Sequence, residues 1–175
     1  MEHNINGRDA AWREELRRSL SAKERTAIPR VVMPQLDPEF RIHNSDEVNQ
    51  GLSFEQAVLE ATRCLDCPTP TCVEGCPVGI DIPGFIKNIQ RGEIGTAATV
   101  IGRTSALPAV CGRVCPQERQ CESRCIYNKM KKAPVAIGYL ERFTADTARE
   151  EHLVSDEAAI APNGIKVAVV GSGPA

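Results

Sequence analysis

From Asp9 to Leu20 the chain sets Ala10, Ala11, Trp12, Leu16 and Leu20 among arginines and glutamates, a spacing that predicts a helix with one apolar stripe. A shorter helix is expected over Ala22–Ala27, stopping ahead of Pro29. Between Pro29 and Asn49 three prolines interrupt a stretch without period, which reads as an ordered but irregular arm. Ser53-Phe-Glu-Gln56 has the spacing of a capping box, and it predicts a helix through Thr62 that delivers the chain to Cys64. Asp81 is placed to cap a helix with Pro83 in its first turn, and Ile82, Phe85, Ile86 and Ile89 then share one face up to Gly92. An alanine-rich helix is expected over Ile94–Ile101, and a cysteine-bearing loop from Leu107 to Cys125. Pro134 is expected to open a last helix with Val135, Ile137, Leu140, Phe143 and Thr144 on one side. Gly138 within it costs about 1 kcal/mol relative to alanine, which points to a close contact there.

The tail changes character. After the turn at Pro162-Asn163-Gly164, Ile165–Val170 reads as a strand, followed by Gly171-Ser172-Gly173. Strand then G-x-G is the opening of a dinucleotide-binding fingerprint, whose helix and third glycine lie past the last residue. The chain is therefore expected to be a fragment that stops just inside a nucleotide-binding domain. The pattern as a whole predicts a mainly α protein in three parts: a helix and arm over 1–50, a helical domain over 51–150, and a linker with a first strand over 151–175.

Composition narrows the setting. Hydrophobic residues make up 42% but aromatics only 4%, so the core must be aliphatic. The net charge of -2 implies no general affinity for nucleic acid. No apolar run approaches the roughly 18 residues of a membrane span, and the N-terminus lacks the apolar stretch of a secretory signal. A cytoplasmic location without a membrane is expected. In that reducing compartment, dense cysteines indicate metal or catalysis more often than disulfides.

The eight cysteines fall in two bursts, Cys64-x2-Cys67-x4-Cys72-x3-Cys76-Pro77 and Cys111-x3-Cys115-Pro116-x5-Cys121-x3-Cys125. Three close thiols followed by Cys-Pro are near the bacterial ferredoxin run, in which the fourth cysteine serves a different cluster. Two iron–sulfur clusters with interleaved ligands, and electron transfer as the function, follow as the leading expectation. Structural zinc also uses Cys-x2-Cys pairs, but only Cys64/Cys67 has that spacing. Arg113, Arg119, Arg124, Lys129, Lys131 and Lys132 flank the second burst, either as a field that stabilises an anionic cluster or as a solvated basic face. The histidines, His3, His43 and His152, stand apart from the cysteines, and no nucleophilic catalytic set is evident.

Several stretches together resemble the N-terminal domain of the small (β) subunit of bacterial NADPH-dependent glutamate synthase. They are Pro29-Arg-Val-Val-Met-Pro34, Glu60-Ala-Thr-Arg-Cys64-Leu-x-Cys67, Gly75-Cys-Pro77, Ile82-Pro-x-Phe-Ile86, Cys111-Gly-Arg-Val-Cys-Pro116, Cys121-Glu122 and Ala136-Ile-Gly-Tyr-Leu-Glu-Arg-Phe143. Dihydropyrimidine dehydrogenase and NADH-dependent ferredoxin–NADP oxidoreductase carry the same module. The resemblance implies a helical, ferredoxin-like domain with two [4Fe-4S] clusters. A Rossmann-type domain would follow, with Gly171 and Gly173 as its first FAD-contacting glycines, and then an NADPH domain.

It also implies one cluster on Cys64, Cys67, Cys72 and Cys125, and a second on Cys76, Cys115, Cys121 and an oxygen of Glu141. Cys111 is then left over as a buried thiol. Simple counting would fill both clusters with the eight cysteines and leave Glu141 a surface carboxylate paired with Arg142 or a lysine. The implied activity is electron relay from NADPH-reduced FAD toward the glutamate synthase large (α) subunit or a ferredoxin-type acceptor. A competing expectation is a subunit-docking domain, in which the N-terminal helix and arm bind the partner and the clusters are structural.

Overall fold

A computed structural model describes residues 7–154, 163–168, 170 and 171. The apolar spacings mature into short helices. Helix α1 spans Ala11–Ser19 and α2 spans Ala22–Ala27, the latter opened by a Ser21/Glu24 capping box. The arm from Pro29 is irregular, as its prolines require, apart from the single turn of α3, Pro38–Arg41. It is pinned by an isolated antiparallel bridge between Gln35 and Asn49.

Helix α4, Phe54–Thr62, starts at the expected capping box: Ser53 N–H donates to Gln56 Oε1 at 2.9 Å and Gln56 N–H to Ser53 Oγ at 3.3 Å. After the one-turn α5, Thr71–Glu74, helix α6 covers Ile82–Gln90, with Asp81 accepting from Gly84 N–H at 3.0 Å. Helix α7 covers Ile94–Gly102. Helix α6 is the centre of the molecule, packed against α4 on one side and α7 on the other. Its Phe85, Ile86 and Ile89 are essentially fully buried with Ala57, Ala61, Ala97, Val100 and Ile101. Burying each large side chain is worth roughly 1.5–3 kcal/mol. As the composition requires, this core is mostly aliphatic.

The segment after Leu107 departs from expectation. It is not a loop: Pro108–Val114 form helix α8, and short 3-10 turns follow at Gln117–Arg119 and Glu122–Arg124. Pro108 occupies the first helical position, where its missing N–H costs nothing and its fixed φ favours the helix. Helix α9 is the single turn Ile126–Lys129.

The last helix, α10, also starts later than Pro134, at Ile137, and runs to Glu150. The four residues before it are held by tertiary hydrogen bonds. Arg63 takes the carbonyls of Ala133 and Pro134, and Glu60 Oε1 accepts the N–H of Ala136 at 2.8 Å. Helix α10 packs on α8 and α7.

Two glycines set that packing. A Cβ on Gly112 would stand 2.6 Å from the backbone nitrogen of Arg142, so α8 reaches α10 only without a side chain there. A Cβ on Gly138 would meet the Gln117 side chain at 2.3 Å, the close contact anticipated for this residue.

The tail strand expected over 165–170 is not seen. Residues 165–168 and 170 carry no strand pairing, and Val169 and Gly173 lie outside the described residues. A strand needs a neighbour to satisfy its N–H and C=O groups, and none is present among the described residues. No helix among the described residues is long and apolar enough to cross a membrane.

Candidate metal centre

The cysteines arrive at the surface of the α4/α6/α10 core from two directions. The end of α4 hands over to Cys64 and Cys67, α5 carries Cys72, and Cys76 follows it. From the other side α8 carries Cys111 and ends at Cys115, and the second 3-10 turn lies between Cys121 and Cys125. The two strands of chain are tied where Thr71 Oγ1 donates to the Arg124 carbonyl at 2.6 Å. All eight thiols are free, seven half-buried and Cys121 buried.

Cys64, Cys67, Cys72 and Cys125 line one recess, with a cavity volume of about 30 Å³. Its remaining wall is largely apolar, with Ile82, Pro83, Ile86, Val135 and Ile137. Burial pushes the thiols of Cys67, Cys72 and Cys125 up, and the nearness of one another's charge pushes them further. These three thiols resist becoming bare thiolates. A bound cationic iron core would reverse this, because a metal deprotonates a coordinating thiol outright.

The second gathering is of different make. Cys115 feels Cys111, with which it shares a hydrogen bond, and also Glu141 and Cys76; burial first, then these neighbours, push it up to about 11. Cys121, pushed by burial to about 12, feels Cys76 and Glu141. Glu141 is only 6% exposed, and its Oε1 is a buried oxygen with no hydrogen-bond partner among the described residues. Burial alone pushes its carboxyl up to about 7. The alternative of a surface carboxylate paired with Arg142 is thereby overturned, since Arg142 turns to Glu47 and Asp146. A buried, unpartnered carboxylate is costly, and a metal ion is the kind of partner that would relieve it.

Cys111 is half-buried rather than buried, because it lies on a surface helix whose Leu107, Val110 and Val114 flank are exposed. It touches Cys115 but lines neither the recess nor the set around Cys121.

Among the described residues, no three or more His, Cys, Asp or Glu side chains converge tightly enough to hold a single metal ion. A lone zinc, with Zn–S bonds of about 2.3 Å, requires that convergence; a multi-iron cluster takes thiolates spread around a larger body.

The six basic residues flanking the second burst are all on the surface, which favours the solvated face. Arg113 is committed to Glu47 and Asp146, and Lys132 to the Thr26 carbonyl. His43 and His152 are exposed; His3 lies outside the described residues.

The cations that do come close to a cysteine loop were missed by sequence reasoning. Asp66, between Cys64 and Cys67, is fully buried with φ +53° and grips Arg13 and Arg17 of α1. Burial pushes its carboxyl up, and the two arginines outweigh that, leaving it below the ordinary value. Lys87 is fully buried and donates to the Cys64 carbonyl at 2.6 Å. Two signals could have pointed here: Asp is among the few residues that tolerate a left-handed backbone, and arginines four apart share a helix face.

A small helical domain that gathers thiols from two interleaved segments into two sets falls in the class of helical, ferredoxin-like iron–sulfur domains. Residues 41–153 match the family described as dihydropyrimidine dehydrogenase domain II, 4Fe-4S cluster, and the chain belongs to that family. It is 40% identical over 148 residues to the small chain of NADPH glutamate synthase from Escherichia coli K12, an alignment covering 85% of this chain and 31% of that one. The corresponding protein of Azospirillum brasilense is 36% identical over 129 residues, 74% of this chain and 27% of its own. The PreT subunit of NAD-dependent dihydropyrimidine dehydrogenase from E. coli K12 is 37% identical over 130 residues, 74% and 31%. The chain thus spans less than a third of the length of these relatives, which are oxidoreductase subunits.

Proposed function

We propose that this chain is an electron-relay module holding two [4Fe-4S] clusters, one on Cys64, Cys67, Cys72 and Cys125, the other on Cys76, Cys115, Cys121 and Glu141. The observation that carries the reading is the separation of these residues into two sets. One set lines an apolar recess; in the other, Cys115 and Cys121 lie near Cys76 and near Glu141, whose buried oxygen has no partner among the described residues. When bound, such clusters supply one-electron transfer at potentials tuned by their ligands and surroundings.

The protein's own part is to hold the ligands and exclude water. Ile82, Pro83, Ile86, Val135 and Ile137 wall the first set. The Gly112 contact holds α8 against α10, which brings Cys115 to Glu141. A carboxylate oxygen is a harder ligand than sulfur, so the second cluster would differ from the first in potential.

The likeness to glutamate synthase small chains supports a longer protein in which FAD and NADPH domains follow the iron–sulfur domain, the first opening with Gly171 and Gly173, and a large subunit accepts the electrons. The likeness to PreT supports the same module serving a pyrimidine-reducing or ferredoxin-linked enzyme as the alternative. On either reading the chain alone does not turn over substrate.

Anaerobic reconstitution tests the proposal. About eight irons and eight sulfides per chain, with two paramagnetic signals on dithionite reduction, are expected for two such clusters. Stoichiometric zinc, or iron that stays redox-silent, would turn the reading toward a structural or docking domain.

A further inference from the structure

Behind the loop that carries Cys64 and Cys67 lies a bed of cations, most of them from residues ahead of the segment matched to the family. Arg13 grips Asp66 with a fork, Nε at 3.1 and 3.0 Å from the two carboxylate oxygens and Nη2 at 2.6 Å from Oδ1. Arg17 Nη1 donates to Oδ2 at 2.7 Å and to the Arg8 carbonyl at 2.7 Å. Arg8 Nε in turn donates to the backbone carbonyl of Asp66 at 3.1 Å. Arg25 Nη1 takes the Thr62 carbonyl at 2.5 Å, and Lys87 Nζ the Cys64 carbonyl at 2.6 Å.

Backbone carbonyls at 62, 64 and 66 are thus each held by a cation. Five positive groups, Arg8, Arg13, Arg17, Arg25 and Lys87, bind this loop, and two of them, Arg13 and Arg17, pair with the carboxylate of Asp66. Arg13, Arg25, Lys87 and Asp66 are all buried, so their fields are weakly screened by salt and water. The left-handed backbone of Asp66, with φ +53°, is kept by these bonds.

We propose that Arg13 and Arg17 of α1, acting through Asp66, are positioning residues for the Cys64–Cys67 loop and raise the potential of the cluster held there. The inference rests on the reading that Cys64, Cys67, Cys72 and Cys125 hold a cluster. One-electron reduction adds a negative charge, which nearby cations favour and a nearby carboxylate opposes. A clamp that only tied down the loop would respond alike to every break. An electrostatic device responds with opposite signs when a cation or the anion is neutralised.

The experiment is a redox titration, followed by electron paramagnetic resonance, of the anaerobically reconstituted chain and its Arg13→Gln, Arg17→Gln, Arg13→Lys and Asp66→Asn variants. Iron and sulfide are counted first. Arg13→Gln and Arg17→Gln should each lower the reduced-to-oxidised ratio of one cluster about tenfold at fixed potential, a shift of about 59 mV for a one-electron couple. Asp66→Asn should shift the same signal by a similar amount in the opposite direction. Arg13→Lys should keep the potential but lose its cluster faster in air, because it keeps the charge and loses the fork.

Arg17 is partly exposed, with a side-chain accessibility of 20%, so its variant reports even if Arg13→Gln does not fold. Equal iron content with unshifted potentials, or shifts of one sign throughout, overturns the inference and leaves the cluster assignment standing. A wild-type chain that takes up no iron–sulfur cluster sinks the assignment and the inference together.

Discussion

The two thiol sets are held in place by different forces. Around Cys64, Cys67, Cys72 and Cys125 the front is apolar and the back is a lattice of charge-assisted hydrogen bonds reaching to α1. Around Cys76, Cys115 and Cys121 close backbone contact between α8 and α10 sets much of the geometry, and the buried acidic groups are Glu122, paired with Arg30 beside Cys121, and the unpartnered Glu141. A site positioned by charge tolerates small shifts in distance, because Coulomb energy varies slowly with separation. A site positioned by contact does not, because overlap is repelled steeply.

Removing a ligand from each set should break the comparison most severely. Cys125→Ser and Cys121→Ser should each abolish a different paramagnetic signal and leave about half the iron, as expected for two independent clusters. If both variants lose the same signal, the division into two sets is wrong. Next in size, Gly112→Val drives a side chain into the backbone at Arg142. It should cost about 1–3 kcal/mol or more by overpacking and empty the second site while the first keeps its iron. Retention of full iron content with an unchanged melting temperature would refute the steric account.

A finer division follows at Glu141. Glu141→Leu should stabilise the metal-free chain by about 1–3 kcal/mol, the cost of a buried group left unpaired, yet weaken iron uptake at the second site. Cys111→Ser should change neither. Denaturation of the apo chain and iron analysis of the reconstituted one give the two halves of this result. If iron and spectrum respond only to Cys111, the ligand assignment falls.

The smallest effect is expected at Asp146, where Arg113 and Arg142 clasp the outside of the α8/α10 contact. Burial pushes the Asp146 carboxyl up, and the two arginines bring it below its ordinary 3.8. Its contribution is present above 3.8 and is lost as pH falls through the lower folded value. Asp146→Asn should cost about 0.5 kcal/mol at neutral pH and remove that part of the acid-induced loss, as read from melts at stepped pH.

Much of this was legible from local pattern. The capping box at Ser53, the N-cap at Asp81 and the buried faces of α6 and α10 are written in residues three or four apart, which is the range over which helices communicate. Spacing marks the cysteines as candidate metal ligands, and their division into two ligand sets is what the family resemblance implies. Helix α8 is not legible in the same way, because its short span carries both a proline and a glycine. In the structure Pro108 starts the helix and Gly112 serves its contact with Arg142. The Asp66 clamp was invisible for another reason. Its partners lie 49 and 53 residues away, and nothing local to Asp66 names them. Helical pattern alone does not distinguish Glu141 from other charged positions; the family resemblance singles it out, and the structure adds its burial without a partner.

The crossing of the two bursts bears on how the protein is made. The recess around Cys64, Cys67 and Cys72 is closed by Cys125, and the set begun at Cys76 is closed by Cys115, Cys121 and the helix bearing Glu141. On a ribosome the chain emerges N-terminus first, at about 5–20 residues per second. Neither set is complete when the first burst appears, and both complete within the same short stretch of synthesis. On the proposed ligand assignment, neither cluster site can be completed before the second burst has emerged.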